Sequence, residues 1–127
     1  MKIFLSIKYY EDMRNRNLIE NICSVVENEN TKLFVFARDI QNYKKCNLSP
    51  EEVMNIAFKE IDLSDILLID ASELSIGAGI EVGYAYAHNI PIYLIANKNS
   101  EVSNSIKGIS DKSIFYENIQ EIKNLFI

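Results

Sequence analysis

Glycine is scarce in this chain, and its distribution is uneven. Only four occur in 127 residues, and three of them, Gly77, Gly79 and Gly83, fall in "SIGAGIEVGYAYA" around one carboxylate, Glu81. Cysteine and histidine are scarcer still. Cys23 and Cys46 lie far apart with no CxxC, and His88 is the one histidine. That leaves no ligand set for a metal centre and no disulfide framework, so both cysteines are expected to be reduced structural residues and no metal or cofactor is expected. Long apolar runs are missing too. "MKIFLSIKYYEDM" returns to charge after a few residues, unlike a secretory signal, and nothing approaches the ~18 apolar residues of a membrane span. Positive charge is in deficit, with 13 bases against 18 acids and a net charge of −5. A nucleic-acid polymer or an anionic membrane needs concentrated positive charge, so neither is an expected partner. A single cytoplasmic domain, residues 1–127, is the expectation.

What is present is a regular alternation of apolar runs and amphipathic segments. "KIFLSI" (Lys2–Ile7) reads as strand one. A helix follows, with Leu18, Ile22, Val25 and Val26 on one face. "KLFVFA" (Lys32–Ala37) reads as strand two and residues Arg38–Leu48 as a loop. Ser49, Pro50 and Glu52 announce the second helix as N-cap, first helical residue and capping-box partner. "DILLID" (Asp65–Asp70), apolar between its ends, suits a strand covered on both faces. The glycine stretch opens a third helix, about Gly77 to His88, and "PIYLIA" (Pro91–Ala96) is strand four. A short helix at Asn104–Gly108, a strand at Ser113–Tyr116 and a helix at Glu117–Phe126 complete five β-α repeats. Such a pattern predicts an α/β, flavodoxin-like (Rossmann-like) single domain: a five-stranded parallel sheet of order 2-1-3-4-5, helices on both faces and right-handed crossovers. Ligands of such sheets sit at the carboxyl ends of the strands where the winding reverses, here after strands one and three.

Two familiar uses of glycine fail on spacing. The dinucleotide fingerprint is GxGxxG in the first β-α turn, whereas this is GxGxxxG in the third, with Val82 in the last place. A Walker loop needs glycine before lysine, and none is present. Two readings stay open. Glycine and alanine allow close helix packing, and a glutamate early in a helix often only stabilises its end. Alternatively, glycines without Cβ bring backbone N–H groups up to a phosphate or sugar, with the Ser75 hydroxyl beside them and Glu81 as an ionised nucleophile at the anomeric carbon.

"SDILLIDASELSIGAGIEVGYAYA" followed by "NIPIYLI" resembles the signature of the nucleoside 2-deoxyribosyltransferase superfamily, and more closely its branch of 2′-deoxynucleoside 5′-phosphate N-hydrolases. The most specific element is the acid-hydrophobic-glycine-x-alanine run, Glu81-Val82-Gly83-Tyr84-Ala85. The resemblance implies cleavage of the N-glycosidic bond of a deoxynucleoside or its 5′-monophosphate, by hydrolysis or by transfer to a second base. Glu81 matches the nucleophile that forms a glycosyl-enzyme intermediate. Ser6 and Lys8 match residues that hold the phosphate, with Ser75, Gly77 and Gly79 as further donors. Ser103, in "SNSIKG", matches a serine given to the neighbouring subunit's phosphate site, which implies a homodimer. Ile80, Tyr84 and Ala87, on one side of an almost wholly apolar third helix, fit such an interface or an ordinary core.

Two departures stand out. Ala57 occupies the place of a family aspartate that positions the sugar, and the tyrosine usual in strand one is missing; Tyr9 or Tyr10, just beyond the strand, is expected to take its place, Tyr9 as a substrate-binding residue. Asp70, at the carboxyl end of strand three, is the expected second catalytic carboxylate. A second function class stays open on these departures: a catalytically weak or inactive nucleotide-binding or sensor module of the same fold. A third is a phosphoacceptor domain using Asp70, although the acid pair and lysine of such domains are absent. His88 is read as a helix-terminus residue, and Arg14 and Arg16 as a solvated helix face.

Overall fold

A computed structural model describes residues 1–127. Five strands, β1 (Lys2–Ser6), β2 (Lys32–Phe34), β3 (Ile66–Asp70), β4 (Ile92–Asn97) and β5 (Lys112–Tyr116), form one sheet of order β2-β1-β3-β4-β5. Every pairing is parallel, and Ile3 to Ser6 face Ile66 to Ile69 across the β1–β3 ladder. The helices are α1 (Arg16–Val26), α2 (Pro50–Asp62), α3 (Ile76–Ala87) and the short α4 (Asn104–Gly108). This is the architecture and strand order that the sequence predicts. No helix is long and apolar enough to cross a membrane.

The sheet divides the core in two, following the period of two along each strand. Ile3, Leu5, Ile66 and Leu68 pack with α1 residues Ile19, Ile22 and Val26 and with Ile122 and Leu125. Phe4, Leu67 and Ile69 pack on the other face with Ala57 and Ile61 of α2 and Ala78, Val82 and Ala85 of α3. Every residue of β3 is buried, as a central parallel strand requires. Ser49 accepts a hydrogen bond from the Glu52 amide at 3.1 Å, so the serine half of the capping box forms.

Two elements differ from the sequence expectation. β2 ends at Phe34, and Phe36–Ile40 winds into a π-helical turn instead of continuing the strand. The cause is local. The Asp39 carboxylate accepts from the Val35 amide at 2.8 Å, and the Arg38 guanidinium donates to the Leu33 carbonyl at 2.8 Å, so side chains take the backbone groups an edge strand would leave open. The closing segment, Ile119–Phe126, is a 3-10 helix instead of an α-helix. Ile119, Ile122 and Leu125 recur every third residue, which puts them on one face at three residues per turn.

Candidate functional site

The winding reversal lies between β1 and β3, and their carboxyl ends carry Ser6 and Asp70. Alternation sends these two side chains to opposite faces. Ser6 follows Phe4 toward α3, and Asp70 follows Leu68 toward α1. A separate cavity opens on each side.

On the α2/α3 side a cavity of about 360 Å³ is lined by 21 residues, 15 of them hydrophobic. Glu81 is the only carboxylate among them. It sits on α3 because Ser75 caps that helix, its hydroxyl accepting from the Ala78 amide at 3.3 Å. Glu81 Oε1 accepts a hydrogen bond from the buried Ser6 hydroxyl at 2.7 Å, and Oε2 makes none within the protein. Burial among apolar groups disfavours the ionised form and pushes the carboxyl up to about 7, against the opposing pull of Ser6. This burial works against the ionised state that the sequence reading expects of Glu81. Desolvation is the larger effect here.

The second cavity, about 290 Å³, lies beside α1 and holds Asp70 with Lys8, Arg14, Asn15, Ser72 and Glu73. Asp70 is 3% exposed and accepts from the Ser72 amide at 2.9 Å. Burial raises its pKa, partly offset by its Ser72 hydrogen bonds. The sequence reading pairs Asp70 with Glu81; the structure does not bring them together, because consecutive β3 side chains point to opposite faces. Asp70 lines only its own cavity.

The other sequence candidates divide similarly. Lys8, Tyr9, Ser75 and Gly77 line the Glu81 cavity. Lys8 also reaches the Asp70 cavity and sits 3.8 Å from Glu73. Ser6 lies beneath the cavity floor, 1% exposed and committed to Glu81; its place is behind the acid, away from a phosphate seat. Gly79 and Ser103 line neither cavity. A Cβ at Gly77, Gly79 or Gly83 would meet no atom within 4 Å, and none of these glycines has positive φ. Close packing within this chain therefore does not explain them. Ala57, buried at 2%, forms part of the cavity wall where the resemblance expects an aspartate. No group of three or more His, Cys, Asp or Glu side chains is placed to hold a metal ion.

Local sequence carries no signal for several cavity residues, Gln41 above all. Its Oε1 is the one buried side-chain oxygen or nitrogen without a hydrogen-bond partner, while its Nε2 faces Cys46 Sγ at 3.6 Å. It sits in the stretch read as loop, just before Asn42 and Tyr43, whose φ values are 49° and 58°. Met13, with φ 54°, lines the cavity from the β1–α1 connection. Nothing in local composition marks these positions.

No protein-family model matches the chain, and no curated protein matches it in sequence. Solved structures do match its fold. A CMP N-glycosidase from Clostridium botulinum, BcmB, superimposes with a TM-score of 0.73 over 100% of both chains at 17% identity. A conserved protein from Enterococcus faecalis gives 0.73 over 98% of both chains, also at 17% identity. A 2-deoxyribosyltransferase from Bacillus psychrosaccharolyticus gives 0.73 over 98% of this chain and 91% of its own, at 17% identity. At that identity the likeness shows the fold.

Proposed function

We propose that residues 1–127 act as one nucleoside deoxyribosyltransferase-like domain. It cleaves the N-glycosidic bond of a 2′-deoxynucleoside or its 5′-monophosphate through a covalent glycosyl–Glu81 intermediate. The observation that carries this reading is the setting of Glu81: a lone carboxylate in a largely apolar cavity, one oxygen fixed by Ser6 and the other free of hydrogen bonds. A nucleophile needs that combination of orientation and incomplete solvation. The names of two structures sharing the fold, an N-glycosidase and a 2-deoxyribosyltransferase, support the reaction class. Ser75, the Gly77 backbone at the start of α3 and Lys8 at the rim form the seat for a phosphate. Water or a second base then takes the sugar.

The domain works as a homodimer in the cytoplasm. Ile76 and Tyr86 on α3 are 85% and 60% exposed and Ile80 is 47%, so the helix presents apolar surface to solvent as well as to the core. A second copy covers this face, Gly79 and Gly83 admit its backbone, and Ser103 reaches the neighbouring site. Light scattering should find a dimer, and Ile80→Glu should return it to monomer.

One observation favours a second reading. With Ala57 in the wall and Asp70 outside the cavity, Glu81 has no partner acid, which suits a nucleotide-binding module without turnover. Base release from deoxynucleosides and their 5′-monophosphates, measured by liquid chromatography, separates the two. Release that Glu81→Gln abolishes supports the enzyme. Thermal stabilisation by nucleotide without release supports the module. Equal rates on nucleosides and monophosphates would remove the phosphate seat.

A further inference from the structure

We infer that the Glu81 cavity takes N-glycosides whose base is already positively charged, such as a pyridinium or an N-alkylated purine. This inference rests on the glycosidic reading above and narrows its substrate class.

The first argument is the missing proton donor. An ordinary nucleobase leaves as an anion unless it is protonated, and glycosidases that form a covalent intermediate ordinarily use two carboxyl groups, one as nucleophile and one as acid. Here Glu81 is the only carboxyl in the cavity, and its Oε1 is already held by Ser6. Asp70 is on the other face of the sheet, and Ala57 closes the wall. The Lys8 ammonium lies 3.8 Å from Glu73, Tyr9 is 48% exposed, and the Tyr10 ring lies against the Lys8 and Arg14 cations. A cationic base needs no donor. Glu81 Oε2 bonds to C1′ as the C1′–N bond breaks, and the bonding pair moves to the ring nitrogen and cancels its charge. The base departs neutral. Water then attacks C1′, the C1′–Oε2 bond returns its pair to the carboxylate, and the water's second proton passes to solvent.

The second argument is the lining: 15 of its 21 residues are hydrophobic and Phe36 adds an aromatic ring, surface that suits a flat cation.

The test compares nicotinamide mononucleotide and its 2′-deoxy analogue with cytidine and guanosine 5′-monophosphates in ribo and deoxy forms, on the full chain, with Glu81→Gln as control. General acid catalysis contributes typically 10²–10⁴-fold, so nicotinamide should be released at a kcat/KM about 100-fold or more above either neutral base. Its pH profile should show one ascending limb and no alkaline descent. Release of cytosine or guanine at a rate matching nicotinamide's would overturn this inference and leave the glycosidic function standing. No Glu81-dependent release from any substrate would overturn both.

Discussion

The two cavities flanking β1 and β3 each contain an acid whose pKa is raised by desolvation, yet they differ in almost everything else. Asp70 sits among polar groups, with Ser72 donating to it and Arg14, Lys8 and Glu73 around it. Glu81 faces mainly hydrocarbon, and one hydroxyl is its whole hydrogen-bond complement. A buried carboxyl tied to its own loop is satisfied by the fold. One left with a free oxygen toward an apolar cavity retains capacity for chemistry. The contrast teaches that a perturbed acid near strand ends is not enough to assign a site; the partners and walls decide.

The largest effect should come from Glu81→Gln, which removes the nucleophile and should take base release below detection in the chromatographic assay. Ser6→Ala should come next. Hydrogen bonds to charged groups are worth roughly 1.5–3 kcal/mol, so kcat should fall about 10- to 100-fold. Losing this donor also lets desolvation act unopposed, so the ascending pH limb, expected near 7 in the wild type, should move upward. A merely structural serine would lower activity without moving that limb.

The third effect is on stability. Glu81's pKa is raised from 4.5 to about 7, so between those values the native state holds more protons than the unfolded chain and wild-type stability falls as pH rises. Glu81→Gln carries no such cost. Denaturation curves should show the variant gaining on wild type across that window, by about 1–3 kcal/mol at pH 8, with no gain at pH 4. The smallest effect belongs to Asp70→Asn, which should leave base release unchanged. A large loss there would collapse the distinction between the two cavities and restore Asp70 to the reaction.

Much of this was legible in the chain. Ser49 and Pro50 announced α2, and four consecutive apolar residues, Ile66 to Ile69, announced β3, because caps and burial periods act over a few residues. The glycine-ringed Glu81 was visible as a candidate for the same reason. The π-turn after β2 was not, since it depends on Arg38 and Asp39 reaching back to Leu33 and Val35. Gln41 was invisible because its significance lies in a hydrogen bond it does not make.

The sequence by itself determined the alternation of strands and helices and the acid to watch, both of which follow from local period and spacing; the order of the sheet it only suggested. Tertiary structure decided which face each side chain serves. Ser6 and Asp70 both stand at strand ends beside the winding reversal, but Ser6 points toward α3 and Asp70 toward α1. Successive strand residues point to opposite sides, and only the packing of helices on those sides made one acid's surroundings apolar and the other's polar.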